Sequence, residues 1–371
     1  MRRIYSTACL CWRRWRNAAS KRFGGARRCA VRRSSGVELS IRKHPTIALV
    51  ADGLTSSSLV FDSRVISLGP RGFRWRLAFS RPDYLLVESA WSGLRDRWKY
   101  KIAAYPEHPE RTNHALIRLV EAAKDRGIPT VFWNKEDSVH FDRFVESAKL
   151  FDHVFTVDAN AVRRYKAVMG EQASVHTLMF AIQPRTHGFT GFDFKFRRAN
   201  FVGSYSSENH MRRRVWQDAL FGAACGSGLG LTVVDRNSSR KASHYRFPAL
   251  DGLDVQHAVR HEQTAQMYRD YVVSLNVNTV EDSPTMFSRR LVEILGCGGI
   301  AVTTPARSVD AMFADFCHVV RSGDEASELF ARLRGGPSNS DLERARAGAE
   351  YVVKHHTWQH RLRQIAEVLG Q

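Results

Sequence analysis

From residue 46 onward, short apolar strands alternate with helices, and this alternation restricts the fold more than any other feature of the chain. TIALVA at 46–51 has the composition of a strand and ends in Asp52-Gly53 and a serine-rich turn. YLLVE at 84–88 is a second strand, introduced by Arg81-Pro82-Asp83. Residues 113–126 carry a helical pattern stopped by Gly127, with Pro129 beyond it. A strand at 130–133, a helix at 141–149, a strand at 153–157 and a helix at 161–169 follow. The stretch 183–196, rich in Pro, Gly and Thr, interrupts the rhythm. It then restarts with strands expected at 200–203, 231–234 and 272–276 and helices at 209–224 and 261–268. Strands separated by helices predict parallel, doubly wound sheets. We therefore expect an α/β fold with two Rossmann-like domains facing a cleft, at 46–185 and 197–355, and a closing helix at 356–371.

Size and charge agree with that division. A chain of 371 residues accommodates two ordinary domains. The net charge of +19 is unevenly placed. Residues 1–45 hold 13 Lys/Arg against the single acid Glu38, whereas the remainder holds 43 basic and 36 acidic residues. The tail has no apolar run long enough for a signal peptide or a membrane span. Its arginine pairs, with Trp12 and Trp15, suit an anionic lipid surface. A dispensable extension, a transit peptide or a nucleic-acid arm also fits such a composition, although no nucleic-acid-binding motif elsewhere supports the last. The six cysteines lack CxxC or metal-ligand spacing, and with no signal sequence the expected location is cytoplasmic, peripheral on the membrane's inner face if the tail docks there.

In open α/β sheets, ligands bind beyond the carboxyl ends of the strands. That rule selects Asp52 to Ser58, Glu88 to Trp91, Asn134 to Asp137 and Asp158 in the first half. In the second it selects Gly203-Ser204-Tyr205, Asp235-Arg236, Asn278, Glu281 to Ser283 and the segment 285–304. Glu136 and Asp137 stand straight after a strand, where one carboxylate can serve as a base; a turn with Asp137 or Ser138 capping the next helix explains the same letters. In TMFSRRLVEILGCGGIAVTT, Phe287, Leu291, Ile294 and Leu295 share one helical face, and Met286, Arg289, Arg290 and Glu293 another. Gly298-Gly299 end the helix and a β-branched strand follows. Two guanidiniums at a helix start suit a phosphorylated ligand. A solvated Arg289–Glu293 pair would produce the same pattern without a ligand. GxGxxG, Walker A, HExxH and GxSxG are absent.

Taken together, SRPDYLLVESAW at 80–91, FWNKEDSVHFDRF at 132–144, FDHVFTVDANAVRRY at 151–165, NFVGSY at 200–205, YVVSLNVNT at 271–279, SRRLVEILGCGGIAVTT at 288–304 and HTWQHRLRQI at 356–365 resemble the CgeB-like (spore-maturation protein) group of GT-B glycosyltransferases. The likeness runs in order from about 46 to 371 and leaves the tail outside. It implies a GT-B fold, with the acceptor held mainly by the first domain, a nucleotide-sugar by the second, and a last helix that crosses back to the first. It places Glu293 at the donor ribose, Arg289 and Arg290 on the diphosphate with Ser288 at the helix start, and Gly203 and Ser204 beneath the donor. The E-x7-E pattern of related retaining enzymes is broken, because Thr285 stands where the first Glu would be.

The resemblance implies sugar transfer from a nucleotide-diphosphate sugar to a hydroxyl acceptor on a glycan, cell-surface polysaccharide or protein. No DxD motif is present, so neither a metal nor a further cofactor is expected, and Asp137 or Glu136 would be the base of an inverting route. A non-catalytic nucleotide-sugar-binding protein and a nucleotide-sugar epimerase are the alternatives on the same fold.

Overall fold

A computed structural model of the protein describes residues 44–371. The basic tail, and the membrane role expected of it, fall almost wholly outside the described residues. The first half of the described chain runs β1 (Thr46–Val50), α1 (Gly53–Leu59), β2 (Arg64–Ser67), α2 (Phe73–Ser80), β3 (Tyr84–Glu88) and α3 (His114–Lys124). It continues with β4 (Thr130–Asn134), α4 (Phe141–Ala148), β5 (His153–Thr156), α5 (Ala159–Met169) and β6 (Ser174–Thr177). These strands form one parallel six-stranded sheet in the order β2-β1-β3-β4-β5-β6.

A second parallel sheet follows. Its elements are β7 (Phe196–Gly203), α6 (Met211–Gly226), β8 (Leu231–Asp235), β9 (Leu253–His257), α7 (His261–Asp270) and β10 (Tyr271–Asn276). Then come α8 (Arg289–Gly296), β11 (Ala301–Thr303), α9 (Arg307–Met312) and β12 (His318–Val319). The strand order is β12-β11-β10-β7-β8-β9. Three helices close the chain: α10 (Gly323–Arg334), α11 (Asn339–His355) and α12 (Trp358–Leu369). The expected α/β architecture of two Rossmann-like domains is present.

The central strands are apolar because helices cover the sheets on both faces. β1, β3 and β4 are almost wholly buried, and a parallel sheet covered in this way needs continuous hydrophobic runs rather than alternation. Beneath α3 and α4, Leu85, Phe132 and Val154 pack on Leu116, Leu119 and Phe144. In the second domain, Phe201 and Leu275 pack on Phe221 and Phe330. The largest apolar cluster does not respect the division, since it joins Trp133 and Phe180 to Phe287, Leu291 and Trp358.

The chain passes between the domains along the segment after β6 and returns just before α12. The two crossings lie side by side: the Ile182 N–H donates to the His356 carbonyl (2.9 Å), and the Trp358 N–H donates to the Ile182 carbonyl (3.0 Å). α12 then packs on the first domain, with Trp358 edge-on to Trp133 at 5.4 Å and Gln359 donating to Asp62 at 3.0 Å. Arg361 is buried and donates to the Met179 and Phe180 carbonyls.

Candidate functional site

The carboxyl ends of both sheets open onto one cavity of about 670 Å³. Its second-domain wall is built by α8. Ser288 is extended and precedes the helix, donating its N–H to the Asn278 side-chain oxygen at 3.1 Å, while its hydroxyl makes no capping bond and lines the cavity. Leu291, Ile294 and Leu295 anchor the opposite face with no exposed surface. The chain leaves the helix through Gly298, at φ +74°, where a Cβ would also collide with the Phe189 ring. The helix is thereby fixed in rotation, and its first two turns present Arg289, Arg290 and Glu293 to the cavity.

Three arginines without an ion-pair partner converge there. Arg290 donates from Nε to the Val202 carbonyl at 2.6 Å and lies over the Phe201 ring at 4.4 Å. Gly203 makes room for it, because a Cβ at that position would stand 2.7 Å from the Arg290 guanidinium and 2.8 Å from Phe201. Arg213, from α6, donates to the Ser204 carbonyl at 3.3 Å, and its buried Nε has no partner. Arg236, just past β8, reaches the Ser204 hydroxyl at 3.5 Å. Among the described residues none of the three has a carboxylate within ion-pair distance. Burial, and then the charges of Arg290 and Arg236, lower the Arg213 pKa to about 9; burial lowers that of Arg290 to about 10. Arg213 and Arg290 are half-buried and Arg236 is exposed, and like charges gathered this closely repel unless an anion joins them.

Glu293 lies beside this cluster. Its Oε1 accepts from Arg289 Nε at 2.9 Å, and the Tyr268 hydroxyl stands 3.4 Å from Oε2. Burial works to raise its pKa, but Arg289, His187 and His261 outweigh it and hold the carboxyl below the usual range. His187, His261 and Glu293 offer ligand atoms within 4.8 Å of one another, a spacing a metal could use. Arg289 already takes one Glu293 oxygen, and Thr264 and Thr186 stand at the two His187 nitrogens, at 3.0 and 3.2 Å. These contacts suit a polar network better than a vacant coordination sphere.

The first-domain wall carries the opposite balance. Lys135 bridges Asp52 Oδ2 (2.9 Å) and Glu88 Oε1 (3.0 Å). Glu88 is fully buried and also accepts from the Asp52 N–H and the Thr55 hydroxyl, each at 2.6 Å. Burial works to lower the Lys135 pKa, but the two carboxylates outweigh it and keep the ammonium charged. Asp52, Lys135 and Glu136 line the cavity.

Of the residues singled out from sequence, Gly203, Ser288, Arg289, Arg290, Glu293 and Glu136 line the cavity, and Ser204 and Asp137 do not. Ser204 instead supports Arg213 and Arg236 from behind. Asp137 departs from the expected position of a base, for β4 extends to Asn134 and the turn after it rotates the carboxyl inward. There Oδ1 accepts from Asn134 Nδ2 at 2.8 Å, and no part of the residue is exposed. Burial pushes its pKa up to about 7, against hydroxyl hydrogen bonds from Thr156 and Tyr165. Nor does it cap α4, whose N-cap is His140. Thr285, at the position of the missing Glu, joins the domains: its hydroxyl donates to the Val157 carbonyl and accepts from the Ala159 N–H, both at 2.9 Å. Asp158 is likewise structural, accepting from the Ser283 hydroxyl at 2.6 Å and the Asn160 N–H at 2.9 Å. The residue that sequence reasoning missed is Arg213.

Residues 197–367 match a family model described as glycosyl transferase-like. Among solved structures, an α-glucosyltransferase in complex with UDP and a 13-mer DNA is similar, with a TM-score of 0.57 and 10% identity over 88% of this chain and 99% of that one. A UDP-forming α,α-trehalose-phosphate synthase from Burkholderia xenovorans has a TM-score of 0.50 and 10% identity over 79% of this chain and 75% of that one. At such identity the likeness is one of fold. No curated protein matches the sequence.

Proposed function

We propose, from the match of residues 197–367 to a glycosyl transferase-like family model, that this protein moves a sugar from a nucleoside-diphosphate sugar to a hydroxyl acceptor. The observation that carries the reading is the trio Arg213 of α6, Arg236 just past β8 and Arg290 of α8, which line one cavity without an ion-pair partner. A diphosphate would supply the charge the trio lacks. The helix terminus contributes only about 0.3–1 kcal/mol. Each charge-assisted hydrogen bond is worth about 1.5–3 kcal/mol, so the arginines do most of the holding. The UDP in the similar α-glucosyltransferase supports a donor of this class.

As the sugar departs, negative charge gathers on the diphosphate, and the arginines stabilise it where it forms. That role removes the need for a metal ion. In this reading Glu293, held ionised by Arg289, accepts from the ribose hydroxyls, and Ser288 donates to a phosphate oxygen. Across the cavity Glu136 and Asp52 are the two carboxylates able to face an acceptor hydroxyl, and Asp52 is held in place by the Lys135 ammonium. The finer likeness to the CgeB-like group, with a cell-surface glycan, polysaccharide or protein as acceptor, belongs to the same proposal.

Thermal shift with UDP-, GDP-, dTDP- and CMP-sugars tests the donor reading. One of them is expected to raise Tm in the wild type and to raise it less in Arg290→Ala, because a ligand at a hundredfold excess over Kd adds about 2.7 kcal/mol and a weakened site gains less. Turnover with that donor should fall in Glu293→Gln. A shift of equal size in Arg290→Ala, or none with any of the four donors, would remove the assignment.

A further inference from the structure

In the first domain, α2 packs Phe73 and Leu77 into that domain's own core and carries the most exposed large apolar side chains among the described residues, Trp75 at 72% and Phe79 at 69%. Phe73 and Leu77 bury the inner face of the helix, so the spacing turns residues 75 and 79 outward together. Their rings pack against each other at 4.0 Å. Arg74 and Arg76 flank them on either side of the helix, and Arg71 and Arg81 stand at its two ends, all four exposed. Among the described residues none of the four has an acid partner. The nearest acid in sequence, Asp83, instead accepts from the Thr46 N–H at 2.6 Å.

We infer that α2 is a docking surface for an anionic lipid bilayer, with Trp75 and Phe79 entering the headgroup layer and the four arginines held at its surface. An aromatic pair flanked by cations matches the interface chemically, since the rings tolerate its half-polar depth and the guanidiniums meet lipid phosphates. Each arginine held near an anionic leaflet raises partitioning about fivefold. Other occupants fit less well. The chain's own residues 1–43 hold 13 Lys/Arg against one acid and are repelled by the same charge. A second copy would meet arginine with arginine. A single-stranded nucleic acid needs ring faces open for stacking along a groove, whereas these two rings pack on each other on a convex helix.

Co-sedimentation of the full chain with phosphatidylcholine vesicles, with and without phosphatidylserine, tests the inference. The tail is common to every variant, so its contribution cancels. Trp75→Ser/Phe79→Ser is expected to lower the partition coefficient on anionic vesicles about tenfold or more, with the circular dichroism of the wild type. Arg74→Glu/Arg76→Glu is expected to lose the preference for phosphatidylserine. Brominated lipids should quench the wild type more than Trp75→Phe, which keeps the apolar bulk and the binding but lacks the indole. Wild-type partitioning by a folded Trp75→Ser/Phe79→Ser chain would overturn the assignment. So would a loss confined to binding of a single-stranded oligonucleotide.

Discussion

At the scale of single residues, the arginines divide by what they touch. Replacing Arg213, Arg236 or Arg290 with Ala should weaken donor binding by about 1.5–3 kcal/mol each, about 10- to 150-fold in Kd by calorimetry. Arg212→Ala should leave it unchanged, because Arg212 pairs with Glu281 outside the cavity. This difference could not be read from the run Arg212-Arg213-Arg214, in which periodicity does not say which member faces the cleft. Arg289, Arg290 and Glu293 were legible because a strong apolar stripe fixes the rotation of their helix. The two carboxylates after β4 also divide. Glu136→Gln should lower turnover at constant donor affinity, and Asp137→Asn should not. Asp137 has a separate signature, since its folded pKa of about 7 exceeds the ordinary value. Between about pH 4 and pH 7 the folded protein holds a proton that the unfolded chain releases, so this group makes stability fall as pH rises through that window. In urea titrations at about pH 5 and about pH 8, the wild type should lose about 2 kcal/mol more than Asp137→Asn across the interval.

At the scale of elements, the central strands and long helices were readable from their apolar runs, and the missing pieces lie at the edges. β2, β6 and β9 were not legible because edge strands are half solvated. RVIS, SVHT and LDVQH mix polar and apolar residues over four or five positions, which is too short for a clear period. α2 escaped notice because its aromatic residues face outward, against the pattern of a packed helix. The end of β7 was legible as Gly203-Ser204, but its geometry was not: Gly203 admits Arg290. Gly203→Ala should therefore weaken donor binding about tenfold by displacing that guanidinium, an overpacking effect of about 1–3 kcal/mol. In an Arg290→Ala background the same change should do little, and a double-mutant cycle by calorimetry would show that coupling.

At the scale of the whole molecule, the domains share an apolar cluster and two adjacent crossings, so they should melt as one. Calorimetry of the wild type is expected to give a single transition. Trp358→Ala removes the ring that covers Trp133 and should cost about 3–5 kcal/mol, and separation of the melt into two transitions would show that α12 couples the halves. The same helix bears on how the protein is made. The first sheet is complete at Thr177, yet Trp358, which seals its apolar side, lies 181 residues later in the chain. At about 5–20 residues per second, translation leaves Trp133 and Phe180 uncovered for roughly ten to thirty-five seconds. The nascent first domain thus presents a sticky face to the ribosome's surroundings throughout synthesis of the second, a natural stage for chaperone attendance.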